Sequence, residues 1–386
     1  MSSFESLSPL AVQDPTDELS VVYQHRRRFL TRIDQPLVLI SQIQRSGGTL
    51  LVQLLDGHSQ LHVHPWELHI GGPAKTSLDK MRPKKTQAKA KPSDIGRPKK
   101  AHLHIGGLKK TQWPRLDLSA DPQALFEALE EKIVLRHAQS GYRKINAPGR
   151  MATPDDEVQV LPFVFLHRLQ AELFTACVSR SSQREVLSAY ATSYFNAWLD
   201  YQGLYKSDAR AWVGFIPGFL TRPGSIDAYV VDYPDGRVLV SVRDPVSWFA
   251  SARRHHGAFE SVDYAVRHWK AGYEAVLAAL EQRGEMILLV RYEDVVSDTE
   301  PVMRRVARFL GLDFEPSLLR PTFNGMDITS NSSFGAVRGL DPSGVDRSDQ
   351  VASADRDLIR DQTGPLVARL QQAIDEQAGR QGQAPD

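Results

Sequence analysis

The sequence predicts an α/β fold of three layers, a central parallel sheet flanked by helices on both faces. Two observations carry this. Short apolar runs rich in β-branched residues recur along the chain, each bounded by turn residues. Between them lie longer segments whose apolar residues fall at helical spacing, and strands that alternate with helices build parallel sheets.

In chain order, residues 36–43 (PLVLISQI) read as a buried strand, closed by Pro36 before it and a Gly pair after it. Residues 49–56 (TLLVQLLD) read as a helix that stops near Gly57. Residues 121–139 open with Asp121 and Pro122, and Leu125, Phe126, Leu129 and Ile133 then follow a helical period. Segments 183–201 and 261–282 carry the same pattern. Strands are expected at 211–216, 237–242 and 285–291, and a last amphipathic helix at 355–377. Aromatic residues crowd 190–205 and 212–219, where helical and strand spacing favours a core role over a pocket.

The chain has 386 residues, enough for two or three domains or for one large domain with insertions. The expected division is a partly disordered leader at 1–30, a single α/β domain at 31–377 and a disordered tail at 378–386. The lone cysteine, Cys177, excludes an internal disulfide framework, a CxxC redox pair and a cysteine-built zinc site. A net charge of +1 names no partner, and nucleic acid is not expected. The apolar runs are too short for an integral membrane segment, and the polar start has no signal-peptide pattern, so a cytoplasmic protein is expected.

Charge is nevertheless uneven. Between Lys75 and Lys100 stand ten basic residues against two acidic ones, with three prolines among them. This insertion, at about 73–101, reads either as a solvated loop or as a basic guide for an anionic ligand. LHIGG flanks it on both sides, at 68–72 and 103–107.

Two segments carry chemistry. In ISQIQRSGGTLL (40–51) a strand runs into Arg45-Ser46-Gly47-Gly48-Thr49, which opens a helix. The glycines allow a sharp turn and close approach of the backbone to a ligand. The free N–H groups and positive dipole of a helix start favour an anion, and Arg45 adds a charge with bidentate reach. The sequence is not GxxxxGK[ST], because the cation precedes the glycines. In VLVSVRDPVSWFAS (238–251) a second strand ends at Arg243, Pro245 starts a helix, and Ser251 lies two turns in. Two anion sites at the carboxyl edge of one sheet suggest a ligand with phosphates at both ends.

RSGGT at 45–49 with RDPVSWFAS at 243–251 resembles the sulfotransferase family, whose members use 3′-phosphoadenosine 5′-phosphosulfate as sulfuryl donor. RYED at 291–294 and NSSF at 331–334 extend the resemblance over most of the chain. It is nearest the bacterial type, and LDGH at 55–58 is similar to a string in protein-tyrosine sulfotransferases. Gln44 and Gly48 depart from the proline and threonine common in the family.

The resemblance implies a three-layer, P-loop-like fold and in-line transfer of a sulfuryl group to the hydroxyl of a glycan, small molecule or peptide. It implies that Arg45 and the N–H groups of Ser46, Gly47, Gly48 and Thr49 hold the phosphosulfate. Arg243 and Ser251 would hold the 3′-phosphate, Tyr292 would contact the nucleotide, and Ser333 would lie on the 3′-phosphate side. No metal is required, since the cations are side chains. The acceptor hydroxyl needs a general base, and the resemblance points to Glu67, with Arg45 sharing the catalytic work. His62, His64, His69 and His102 are rivals for the base. A magnesium-dependent P-loop kinase or NTPase, and a non-catalytic nucleotide-binding relative, stand as alternatives.

Overall fold

A computed structural model describes residues 18–68, 70, 113–130, 143–145, 158–206, 208–222, 224–255, 257–328, 339–340, 342 and 345–382. The basic insertion, Ser333, His69, His102 and the second LHIGG lie outside these residues. The strands of the main sheet are β1 (Leu37–Gln42), β2 (Leu61–Glu67), β3 (Ala211–Phe215), β4 (Arg237–Val242) and β5 (Ile287–Arg291). The named helices are α1 (Glu18–Arg28), α2 (Gly48–Leu55), α3 (His167–Cys177), α4 (Gln183–Ala197), α5 (Ser225–Asp232), α6 (Pro245–His255), α7 (Val262–Arg283), α8 (Tyr292–Ser297), α9 (Thr299–Leu310) and α10 (Ser353–Gly382).

The five strands run in the order β2-β3-β1-β4-β5, and every pairing is parallel. Parallel strands are buried on both faces, and the side chains here sort by the two-residue period of a strand. Leu37, Leu39, Val238, Val240, Ile287 and Leu289 join one core, which also takes in residues of α4, α7 and α10. Val38, Ile40, Leu239, Leu288 and Val290 join the other, with Leu51, Leu54 and Leu55 of α2 and Met303 and Val306 of α9. Sheet between two helical layers is therefore the observed architecture. The loop after β1 has no GxxxxGK[ST] sequence, so the likeness to P-loop proteins is one of strand–turn–helix topology alone.

The structure changes several boundaries and adds elements. β2 was not expected, because His62, His64 and Pro65 break its apolar pattern; both histidines are in fact fully buried. A proline is tolerated there because β2 is an edge strand, and the register shifts between Val63 and Glu67 around it. The helix expected to reach residue 201 ends at Ala197. Leu166 N–H donates to Ala197 O at 3.1 Å and Leu199 N–H donates to Val164 O at 2.7 Å, which draws the chain into a bridge with Phe165. The leader contains α1, and α10 continues to Gly382, five residues into the expected disordered tail. The aromatic segment 190–205 is core at Tyr190, Tyr194, Phe195 and Trp198, as its spacing suggested, whereas Tyr205 is exposed.

Two local signals hold the wall beside α2. Asn324 and Gly325 both have positive φ, 54° and 76°, and form the two-residue turn of a small hairpin, Thr322–Phe323 with Met326–Asp327. The Asp56 carboxylate, at the C-terminal end of α2, accepts from Thr322 Oγ1 at 2.7 Å and Gly325 N–H at 2.8 Å. His58 Nε2 lies 2.9 Å from Asp313 O. The LDGH string thus does packing work in this fold.

Candidate active site

β1 lies between β3 and β4, so the connections leaving it and its neighbours diverge to opposite sides. Open α/β sheets bind ligands at such a switch point, outside the carboxyl ends of the strands. Both motif segments emerge here, from β1 and from β4, which pair with each other.

The first loop is built for close backbone approach. Arg45 has φ 72° and Gly47 φ 93°, so left-handed residues alternate through the turn. Alternation of this kind aims successive N–H groups into a concavity that suits an anion. Gly47 is the N-cap of α2, and its carbonyl accepts from Leu50 N–H at 3.0 Å and Leu51 N–H at 3.2 Å. A Cβ on Gly47 would stand 2.2 Å from Cδ2 of Tyr292, so glycine is needed for space as well as conformation.

The second element is pinned by side chains. Asp244 Oδ1 caps α6 by accepting from Ser247 N–H at 2.7 Å. Glu293 Oε1 accepts from Asp244 N–H at 2.9 Å, and burial pushes the Glu293 carboxyl above its ordinary range. Trp248 Nε1 donates to Gln44 O at 2.7 Å, tying α6 to the first loop.

The two elements meet directly. Arg45 Nε donates to Ser251 Oγ at 3.2 Å, and Arg243 Nη1 donates to the Arg45 carbonyl at 3.0 Å. The Arg243 guanidinium stands 4.4 Å from the centre of the Tyr292 ring, the same ring that faces Gly47. Arg45 lies below its ordinary range, first through burial and then through the neighbouring charge of Arg243. The two segments expected to bind anions thus adjoin, with Arg45, Gly47, Arg243, Ser251 and Tyr292 close together, as a single ligand reaching both would require. Arg243 is only 6% exposed, and its buried Nε has no hydrogen-bond partner among the described residues. A buried guanidinium N–H without a partner calls for an anionic acceptor.

One of the expected N–H donors, that of Gly48, is engaged within the protein. Ser46 is buried, and its hydroxyl lies 3.2 Å from the Tyr273 hydroxyl, so its backbone N–H is the group left for a ligand. Gly48 N–H donates to Gln42 Oε1. A Cβ on Gly48 would meet Phe215 Cε2 at 2.7 Å and Gln42 Cδ at 2.8 Å. Gln42 and Phe215 thus fill the space that a larger residue at 48 would take, which explains the departure from threonine. Thr49 is half-buried in the first turn of α2.

Glu67 ends β2 and pairs in register with Phe215 of β3. It therefore sits on the same carboxyl edge as the loop, two strand spacings from β1, or about 10 Å. It is half-buried. His62 and His64 precede Glu67 on β2 and are buried. His62 packs 5.3 Å from Phe195 and 6.0 Å from Tyr201, and His64 packs 4.4 Å from Tyr194, between ring centres. Burial, with the charge of Lys206 adding to it, pushes His62 down to about 3. Both histidines are core residues and are withdrawn as rivals for the base.

Sequence reasoning missed Gln42, Glu293 and Tyr273. Glu293 stands inside the quoted RYED string and was legible as a second polar group there. Gln42 had a weaker signal, a buried amide at the end of an apolar strand. Tyr273 had none, because it lies in the middle of a helix among apolar residues.

Among the described residues no group of three or more His, Cys, Asp or Glu could hold a metal ion, and no helix is long and apolar enough to cross a membrane. No curated protein matches the chain significantly. Solved structures that resemble it include a sulfotransferase domain from the curacin biosynthetic pathway, 17% identical, covering 86% of this chain and 99% of that one at a TM-score of 0.42. A sulfotransferase domain from the Synechococcus PCC 7002 olefin synthase is also 17% identical, covering 86% and 96% at 0.42. A sulfotransferase from Alicyclobacillus acidocaldarius is 15% identical, covering 88% and 96% at 0.41. The family profile described as "Sulfotransferase family" matches residues 36–316, a span that contains both strand–turn–helix segments, Glu67 and Tyr292. This match is to the family at large and does not single out protein-tyrosine sulfotransferases. On that span the chain belongs to the sulfotransferase family.

Proposed function

We propose that the protein transfers a sulfuryl group from 3′-phosphoadenosine 5′-phosphosulfate to the hydroxyl of an acceptor. The observation that carries this reading is the convergence of Arg45, Arg243 and Ser251 at one sheet edge, where the buried Nε of Arg243 has no partner among the described residues. Two cations, with the N-terminus of α2 beside the first, suit a nucleotide with an anion at each end. The nucleotide supplies the sulfuryl group and a phosphate leaving group.

The rest is done by this chain's residues. Arg45 and the N–H groups of Ser46, Gly47 and Thr49 hold the phosphosulfate end and neutralise charge on the leaving phosphate, as preorganised donors do in related phosphoryl transfers. Arg243 and Ser251 hold the 3′-phosphate, and Ser333 is assigned to the same side. Tyr292 forms the wall between the two ends, its ring fixed by Gly47 and Arg243. Glu67 takes the proton of the acceptor hydroxyl, which must sit between it and the loop. These cations do the electrostatic work, so the reading has no step that requires a metal. The protein is expected to act in the cytoplasm on a hydroxyl of a glycan, small molecule or peptide.

Calorimetry tests this reading. The full chain is titrated with 3′-phosphoadenosine 5′-phosphate and with ATP, each with and without magnesium. The 3′-phosphorylated nucleotide is expected to bind more tightly, with no gain from magnesium. Tight ATP binding that depends on magnesium would instead support a kinase or NTPase. Binding of the 3′-phosphorylated nucleotide without sulfate transfer to a broad set of hydroxyl acceptors would support a non-catalytic relative.

A further inference from the structure

We infer that Tyr273 is a positioning residue that locks the two anion-binding elements to each other; this rests on the nucleotide reading above. Tyr273 lies in α7, away from both motifs in sequence, and is fully buried. Its hydroxyl has three partners. Arg243 N–H donates to it at 3.1 Å, Ser241 O lies at 3.2 Å, and Ser46 Oγ lies at 3.2 Å.

A phenol has one proton and can accept twice, so three partners fill its capacity. A carbonyl only accepts, so the phenolic proton is drawn to Ser241 O and the Ser46 hydroxyl supplies its own. Burial keeps the phenol protonated, raising it above its ordinary range. One oxygen therefore connects the first loop, through Ser46, with the end of β4 and the amide of Arg243.

The neighbouring bonds reinforce the same joint. Ser241 Oγ donates to Ser46 O, and Trp269 Nε1, one turn before Tyr273, donates to Arg243 O at 3.3 Å. Helix α7 thus holds Arg243 at both its N–H and its C=O. The side chain of Arg243 in turn reaches the Arg45 carbonyl. Removing the phenolic oxygen frees Ser46 and Arg243 from each other and leaves three buried polar groups short of a partner. A ligand that uses both elements should suffer more than one that uses only the first loop.

The test compares 3′-phosphoadenosine 5′-phosphate with adenosine 5′-monophosphate, which lacks the 3′-phosphate. Dissociation constants are measured by calorimetry for the wild-type chain and for Tyr273→Phe, with thermal denaturation alongside. The wild-type preference for the 3′-phosphorylated nucleotide should fall by about five- to tenfold in Tyr273→Phe, the worth of a buried hydrogen bond, with the monophosphate within twofold. A purely structural tyrosine would weaken both nucleotides alike, and an unchanged preference overturns the inference. If Tyr273→Phe does not fold, Ser46→Ala cuts the same link: loss of preference supports the joint, and a retained preference rejects it. A wild-type chain with no preference sinks the nucleotide reading and this inference together; a preference that survives Tyr273→Phe sinks this inference alone.

Discussion

Arg45 adopts a backbone conformation that residues with side chains rarely hold, at φ 72°. Such strain persists where surroundings over-determine it, and here Arg243, Ser251 and Trp248 all reach into the loop. Gly47 and Gly48 show why two adjacent glycines are not interchangeable. The first is set by positive φ and the Tyr292 ring, the second by the packing of Gln42 and Phe215. Glu67 is the residue whose role is most open to direct trial. Glu67→Gln keeps shape and removes the base, so nucleotide affinity should stay within about twofold while transfer falls roughly 10²–10⁴-fold. Calorimetry and a sulfate-transfer assay on the same preparation check this; an unchanged rate would remove Glu67 from the mechanism and leave the nucleotide site intact.

Elements extend the argument beyond the site. β5 closes one edge of the sheet, and an open edge is a hazard for aggregation. Gln377 of α10 covers it by imitating a neighbouring strand. Its Oε1 accepts from Leu289 N–H at 2.9 Å, and its Nε2 donates to Ile287 O at 2.6 Å. Gln377→Ala leaves both backbone groups buried without partners, and urea denaturation should show a loss of about 2–3 kcal/mol. The apolar spacing that announces α10 is plain in the sequence, but the strand that Gln377 reaches is not. β2 shows the opposite difficulty. Its histidines read as polar in a string and are apolar in behaviour, stacked among Phe195, Tyr201 and Tyr194.

At the scale of the whole molecule, the buried imidazole of His62 sets a term in acid stability. Its value falls from the ordinary 6.5 to about 3, because burial disfavours the charged ring. Between those values the unfolded chain binds a proton at this residue that the folded chain does not. Stability therefore rises with pH across this window and is lost on acidification below 6.5, by about 1.4 kcal/mol per pH unit. Comparing wild type with His62→Phe by urea denaturation from pH 6.5 to 4 checks the sign: the variant should lack this slope. A parallel decline in both proteins would show that other groups control acid unfolding. The same large-scale order that buries His62 on one face of the sheet brings Arg45 and Arg243, 198 residues apart, into contact at its edge.

The sequence alone was enough for the layered α/β class, for β1, β3, β4 and β5, and for the two strand–turn–helix segments that carry Arg45 and Arg243. These rest on local physics: apolar period, glycine turns, and cations beside helix starts. Glu67 was named from a resemblance, and the structure places it at the end of β2, two strands from β1. Tertiary structure decided the rest. Only the pairing of β1 with β4 brings the two motifs together, and only packing shows that Gln42 occupies the Gly48 amide and that His62 and His64 are buried. Tyr273 is the limiting case, because a hydroxyl that bridges Ser46 to Arg243 leaves no trace in spacing or composition. Contacts between residues distant in the chain arise from the geometry of the sheet, and no local pattern encodes them.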